Sequence, residues 1–413
     1  MPAGARISGP GAGGLSGPLG RLVARPQEFL GSWPERPLLW RSGQTFTDLL
    51  DPGAADILVE ERSLRLPAFR VVRDGSTLAT TSYTQSARMG QAPVADLAHP
   101  GKVGEHVAAG ATLVLQGLHR TWEPLVRFCR GLAGELGHPV QANAYLTPRQ
   151  SQGFEFHYDT HDVFIVQVTG RKAWVVHEPV FCWPLQDQPW PARPESATRS
   201  LPPPGEPCLD VVLAPGDCLW LPRGWVHAAR TESDLSLHIT VGVLTRTRHW
   251  LLRQIVEELA EEEDFRVSLP PAFAATGTGL ADSMHEVLAL FSSWAAEADV
   301  EAMAGRVRHR HLEQMPAPLR QPVGSALSAA TIEDETWLRV RSGAVYDIRA
   351  DGSCLVLHLG DRELSLPGWL QPAVRTILES ERLRPADLGE ALDAHDRLVL
   401  TRRLCREGLV EVE

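Results

Sequence analysis

The spacing of apolar positions changes character along this chain, and the changes divide it into three stretches. From residue 21 to residue 136 the spacing is mixed. The segment RPQEFLGSWPERPLLW sets Phe29, Leu30 and Trp33 at helical spacing, then resumes after Pro37 with Leu38, Leu39 and Trp40. That order predicts a helix followed by a strand. Residues 56–72 alternate weakly and close on Val71-Val72 before an Asp74-Gly75 turn, Val94 to His106 reads as helix, and ATLVLQGL at 111–118 is a β-rich run. From Trp122 onward Leu125, Phe128, Cys129, Leu132 and Leu136 recur at helical spacing, with Gly137 as the stop.

From residue 140 the period shortens to two. VQANAYLTP at 140–148 alternates, which places Asn143 and Tyr145 on one face of a strand. The stretch SQGFEFHYDTHDVFIVQVTGRKAWVVHEP, Ser151 to Pro179, supplies two more strands, Val163 to Val168 and a second led by Lys172, joined through Gly170. Residues 181–207 are Pro-rich and too long for a simple hairpin, and long loops in a compact domain are often functional. CLDVVLAPGDCLWLPRGWVHAARTESDLSLHITVGV at 208–243 is a series of short strands punctuated by Pro215-Gly216-Asp217 and Pro222-Arg223-Gly224. Many short strands with Gly/Pro turns predict a barrel or sandwich.

After Thr245 the helical period returns. Leu251, Leu252, Ile255, Val256 and Leu259 form one stripe, ending in the acidic run Glu261–Asp264, and Met284, Val287, Leu288, Phe291 and Trp294 form another. A Pro-broken linker, Met315 to Pro322, precedes the last part. Residues 326–413 read as a strand, short strands around Asp351-Gly352, helices near 371–380 and 385–392, a helix at 393–407 and a closing Leu409-Val410. That order is consistent with a winged-helix module.

Composition narrows the class. The 413 residues are 43% hydrophobic and 22% charged, as expected of a globular protein with room for more than one core. No run approaches the 18 or so apolar residues of a membrane span, and the Gly/Pro-rich first 20 residues lack the apolar core of a secretory signal, so they read as a flexible leader. The six cysteines include no CxxC pair, which signals neither a zinc ribbon nor a disulfide framework and makes a reducing, cytoplasmic location the expectation. A formal charge of −11 speaks against a general nucleic-acid coat. Lysine is nearly absent. Of 40 basic residues only Lys102 and Lys172 are lysine, and Lys172 falls inside the Ser151–Pro179 stretch.

That stretch also carries the candidate chemistry. His157 and Asp159 offer an imidazole and a carboxylate two residues apart, two of the three ligands of the facial triad that holds Fe(II) with open positions. The third candidate is His227, brought across by the glycine turns at Gly216 and Gly224. His161 would point with His157 but lie roughly 13 Å along a strand, which puts it outside the metal shell, on the substrate side or the surface. His238 reads as a core residue.

The segments QANAYLTPRQSQGFEFHYDTHDVFIVQVTGRKAW, LAPGDCLWLPRGWVHAA and SLHITVGV together resemble the JmjC-type cupin oxygenases of the ribosomal-oxygenase family, and FLGSWPERPLLW resembles that family's opening segment. The resemblance is strong over about 140–245. It implies a mixed α+β chain with a double-stranded β-helix (cupin/JmjC jelly-roll) core, organised as a leader over 1–20, a catalytic domain over 21–245 with its barrel at about 140–245, a helical dimerisation region over 246–315 and a winged-helix-like domain over 325–413. It implies Fe(II) on His157, Asp159 and His227, with 2-oxoglutarate as cosubstrate. Lys172 matches the family lysine that pairs with the distal carboxylate of 2-oxoglutarate. Asn143 and Tyr145 match its Asn-x-Tyr strand, and Ser236 its Ser-Leu-His segment, as further cosubstrate contacts.

Three readings stand at this level. The first is a protein hydroxylase acting on a polypeptide, with a ribosomal protein foremost, working as a homodimer. The second is a hydroxylase of a small molecule or biosynthetic peptide, its pocket shaped by Trp183 and Trp190. The third is a non-catalytic cupin with an interaction module. Residues 325–413 hold eleven arginines and no lysine against sixteen acidic residues, a net of −5, so protein contacts rather than direct DNA binding are expected there.

Overall fold

A computed structural model of the chain describes residues 17–413 apart from 42, 150, 152–154, 191–204, 233, 276, 316–320, 342–345, 352, 360 and 361. Residues 1–16 of the expected leader, much of the Pro-rich loop and the centre of the 315–322 linker lie outside the described residues. The described residues fall into two compact units, one ending at Thr245 and one beginning at Arg246.

The first unit is built on one large antiparallel sheet. Its strands are β1 (Leu38–Arg41), β2 (Phe69–Arg73), β3 (Ser76–Thr77), β6 (Thr112–Leu115), β7 (Val140–Thr147), β8 (Asp162–Thr169), β11 (Asp217–Leu221) and β13 (Ser236–Val243), in the order β1-β11-β8-β13-β7-β6-β2-β3. A second sheet has the order β10-β9-β12, from β9 (Lys172–His177), β10 (Leu209–Leu213) and β12 (Val226–Thr231). β4 (Thr84–Met89) and β5 (Ala92–Ala98) form a separate hairpin.

The sequence of β8 explains why this strand sits at the centre. Seven of its eight residues are buried, because both of its faces are covered. Val163 and Ile165 pack inward with Trp174, Val176, Leu213, Leu219 and Leu221 between the two sheets. On the other face Phe164 meets Phe29 at 5.5 Å and Trp220 at 4.6 Å between ring centroids. A strand covered on both sides reads as a continuous apolar run rather than an alternating one. The N-terminal helix Pro26–Gly31 thus covers the back of the sheet through Phe29 and the neighbouring Trp33, while Pro18–Leu22 lies against the helix Glu123–Leu136, where the Leu19 N–H donates to the Glu135 carboxylate at 2.9 Å.

Local stop and start signals account for the places where the structure departs from the periodicity. The weak alternation over 56–72 gives way to a helix, Pro52–Glu60, because Asp51 caps it and Pro52 opens it; the Asp51 carboxylate accepts the Ala54 N–H at 2.7 Å. The helix read from Val94 begins only at Pro100, after β5, with His99 as its cap. The helix Glu123–Leu136 ends where expected, on Gly137 at φ +67°.

The second unit holds the helices Arg248–Glu258, Gly277–Glu297, Val300–Glu313 and Pro322–Ala330. Beyond them come β14 (Leu338–Val340) paired with β18 (Val410–Val412), and a three-stranded sheet of β15 (Asp347–Asp351), β16 (Cys354–His358) and β17 (Glu363–Pro367). Helices Gln371–Glu379 and Ala394–Arg406 close a core around Leu355, Leu357, Val374, Ile377 and Leu404. Leu251, Leu252 and Val256 of the first helix and Met284, Val287 and Leu288 of the second are all exposed.

Candidate metal centre

The centre is assembled at the mouth of the barrel, where the segment leading into β8 faces the start of β12. His157 and His227 form an antiparallel bridge, the N–H of each donating to the other's carbonyl at 3.1 and 2.8 Å. That reciprocal pair puts the two residues directly opposite one another. The turn before β12 is pinned as well: the Gly224 N–H donates to the Asp159 carbonyl at 3.0 Å, and the buried Asp162 carboxylate accepts from the Arg223 N–H at 2.8 Å and pairs with its guanidinium at 3.3 Å. Gly224 sits at φ +89°, and a Cβ there would lie 2.7 Å from the Phe181 carbonyl oxygen. This is why Pro222-Arg223-Gly224 precedes the histidine.

The side chains converge. The His157 and His227 rings lie 4.5 Å apart, His227 Nε2 is 3.9 Å from the Asp159 carboxylate, and one ligand atom from each of the three residues lies within 4.8 Å of the others. Each imidazole is oriented through Nδ1, His157 by the Glu155 carbonyl at 2.8 Å and His227 by the Trp225 carbonyl at 3.0 Å. Donation from Nδ1 leaves each Nε2 as a lone pair for a metal, the usual outer-shell arrangement of ligating histidines. Two neutral imidazoles and one carboxylate therefore fit a divalent metal of the facial-triad class. Electrostatics agree. Burial pushes His227 down to about 4, with His157 adding to the effect. Burial opposes ionisation of Asp159, but the fields of His161, His227 and His157 prevail and hold its carboxyl below the ordinary carboxylate range.

Behind the triad lies a cavity of about 200 Å³ lined by Arg70, Thr112, Tyr145, Lys172, Trp174 and His238 among others. Lys172 is only 3% exposed, and its ammonium donates to the Thr147 hydroxyl at 3.1 Å, which Thr112 also reaches at 3.2 Å. Burial without a carboxylate partner lowers the Lys172 pKa to about 7. Tyr145 takes a hydrogen bond from Arg70, and burial, with Asp159 nearby, raises its phenol to about 12. His238 stacks flat on Tyr145 at 4.8 Å and stands edge-on to Trp174 at 5.4 Å.

The structure thus brings His157, Asp159, His227, Lys172 and Tyr145 to one cavity. Asn143 and Ser236 are placed elsewhere. The Asn143 amide oxygen accepts the Gly117 N–H at 3.0 Å, and the fully buried Ser236 hydroxyl accepts from Gln167 at 2.9 Å. His161 is not on a strand, since β8 starts only at Asp162. The chain bends between His157 and Asp162, so a strand-based spacing does not apply to it. His161 instead meets Gln141 at 3.3 Å and stands close enough to bias Asp159, while staying outside the triad. His238 is buried, as a core residue would be, yet faces the cavity. Arg70 and Thr112 were missed because they come from β2 and β6, whose sequences carry no motif.

Residues 98–251 match the JmjC domain family. That stretch of the chain is similar to a JmjC domain. It is 31% identical to ribosomal oxygenase 1 of Gallus gallus over 291 residues, covering 63% of this chain and 46% of that protein. It is 33% identical over 195 residues to a bifunctional lysine-specific demethylase and histidyl-hydroxylase NO66 of Drosophila persimilis, covering 47% of this chain and 27% of that one. The chain therefore spans less than half the length of these curated relatives. Among solved structures, the Escherichia coli ribosomal oxygenase YcfD in complex with cobalt and succinic acid aligns at a TM-score of 0.50 and 18% identity, over 94% of this chain and 98% of that one. The same protein with cobalt and 2-oxoglutarate also aligns at 0.50. At this identity the likeness concerns the fold, the JmjC/cupin type with mixed α and β content.

Proposed function

We propose that this chain is an Fe(II)- and 2-oxoglutarate-dependent oxygenase that hydroxylates an amino-acid side chain of a protein, with ribosomal proteins as the foremost substrate class. The observation that carries the reading is the meeting of His157, Asp159 and His227 with Lys172 in one cavity. Those three residues would hold the iron, and the bound metal with its cosubstrate supplies the oxidising chemistry for a C–H bond. The cobalt complex of YcfD with 2-oxoglutarate supports this choice of partners.

The chain's own residues do the positioning. Lys172 places one positive charge at the closed end of the cavity, where a compact ammonium suits a carboxylate. Thr147 and Thr112 hold that ammonium in place, and Tyr145 with Arg70 offers polar contacts along the wall. Asn143 and Ser236 act one layer back, by fixing the Gly117 turn and the β8–β13 contact. Trp174, Val163 and Ile165 exclude water from the interior side.

Cavity size favours a polypeptide substrate over a small molecule. Sites that engulf an organic ligand run to roughly 300–1,000 Å³. The 200 Å³ present suits a cosubstrate, with the target side chain presented from outside. The six cysteines among the described residues are free thiols, in keeping with the expected cytoplasmic setting, and no described helix is long and apolar enough to cross a membrane. The exposed apolar stripes of Arg248–Glu258 and Gly277–Glu297 belong, in this reading, to a homodimer contact within a dimerisation region over 246–315. The region over 325–413 is a winged-helix-like module for protein contacts.

Purified protein loaded anaerobically with Fe(II) should form succinate from 2-oxoglutarate once air is admitted, even without substrate. His157→Ala should reduce this to background. Equal succinate from the variant would overturn the proposed metal centre.

A further inference from the structure

The second unit contains a cluster with metal-ligand chemistry and no part in the oxygenase site. We propose that His309, His358 and Glu363 form a second, structural site for a divalent metal of the zinc class, with Glu313 beside His309 at its edge. The four residues come from two elements in a regular pattern. His309 and Glu313 are one turn apart on the helix Val300–Glu313, so both project from one face. His358 and Glu363 are directly opposed across the β16–β17 hairpin.

The distances fit a shared ion. His309 Nε2 lies 3.2 Å from the Glu363 carboxylate and 3.5 Å from that of Glu313, and His358 Nδ1 lies 2.9 Å from the Glu363 carboxylate. Tetrahedral zinc with bonds of about 2.0–2.1 Å sets its ligands about 3.3 Å apart. Ligand atoms of His309, His358 and Glu363 all fall within 4.8 Å of each other.

Hydrogen bonding alone leaves this cluster incomplete. His358 is 6% exposed, and its Nδ1, despite its closeness to Glu363, makes no hydrogen bond to any described residue. His309 Nε2 faces two carboxylates with at most one proton to give. Among the described residues neither Glu313 nor Glu363 has an arginine or lysine partner. The neighbouring Asp347, by contrast, is neutralised by Arg308 at 3.2 Å and Arg349 at 3.3 Å. Two imidazoles and the Glu363 carboxylate match one divalent cation in donor type, and the nearby Glu313 carboxylate completes the charge balance. A metal there would clamp the helix Val300–Glu313 onto the sheet that carries β16 and β17.

The test removes the first centre so that the second is counted alone. Full-length protein carrying His157→Ala and Asp159→Ala is titrated with Co(II) and then Zn(II), following cobalt absorption and bound metal by mass spectrometry. One equivalent should bind with the intense visible bands of a tetrahedral N/O site. Glu363→Gln, at a half-exposed position that leaves the core intact, should weaken it by at least about tenfold, and His358→Ala should abolish it. Failure of the triad-disabled protein to bind Co(II), or undiminished binding in Glu363→Gln with an unchanged circular-dichroism spectrum, would overturn the proposal.

Discussion

Lys172 shows how far a single residue's chemistry depends on its burial. Its pKa near 7 means that the ammonium is mostly present below that pH and mostly lost above it. A bound carboxylate restores the charge, so above pH 7 the binding of 2-oxoglutarate must take up a proton. Affinity should therefore fall by about tenfold per pH unit as pH rises beyond 7. Calorimetry in buffers of different ionisation enthalpy should register the uptake, and a flat affinity between pH 7 and 9 would refute it. Lys172→Met should weaken 2-oxoglutarate binding by about 10- to 100-fold, the worth of a charge-assisted hydrogen bond. Lys172→Arg should not rescue it, because a larger, planar guanidinium replaces the compact, buried ammonium held on the Thr147 hydroxyl. At this scale the residues of the triad and Lys172 were legible in the sequence, since short-range spacing and a rare residue type mark them. The rest of the cavity was not. Thr112 and Arg70 are ordinary strand residues until β6 and β2 fold alongside β7, and nothing local marks the face they present.

The elements that matter most for the site are its turns. Gly170, between β8 and β9, sits at φ +65°, and a Cβ there would meet the Leu235 carbonyl oxygen at 1.8 Å. Gly170→Ala should thus cost about 2–4 kcal/mol, combining the conformational penalty with a backbone clash that no rotamer relieves. Denaturant unfolding of wild type and variant would read this as a lowered midpoint, and an unchanged midpoint would mean that the turn is looser than described. Glycine turns, helix stops and the strand runs of 140–243 were readable, because they follow local rules. Boundaries elsewhere were not. Asp51-Pro52 starts a helix that runs into the weakly alternating stretch 56–72, and His99-Pro100 starts one inside a stretch whose spacing pointed to an earlier helix. The bend from His157 to His161 likewise replaces a strand, because bridging to His227 and docking on Gly224 direct the backbone there.

At the scale of the whole molecule, the sequence marked the change of character after Thr245, which is where the two compact units divide. It did not reveal the His309–Glu363 cluster, whose ligands are 54 positions apart and belong to a helix and a hairpin that meet only on folding. The exposed stripe on Gly277–Glu297 makes the oligomeric prediction specific. Met284→Glu with Leu288→Glu should convert a dimer into a monomer in sedimentation equilibrium, with succinate formation retained, and a wild-type monomer would refute the assigned dimerisation region. The acidic balance of the last 89 residues predicts no binding to random duplex DNA at moderate salt. Above all these stands the claim that the metal centre serves protein hydroxylation. Intact-mass spectrometry of ribosomal proteins from cells with and without this gene tests it most directly. One ribosomal protein should lose the mass of a single oxygen atom when the gene is deleted, and regain it with the wild-type chain but not with Asp159→Ala. Ribosomal proteins of unchanged mass across all these cells would contradict the account.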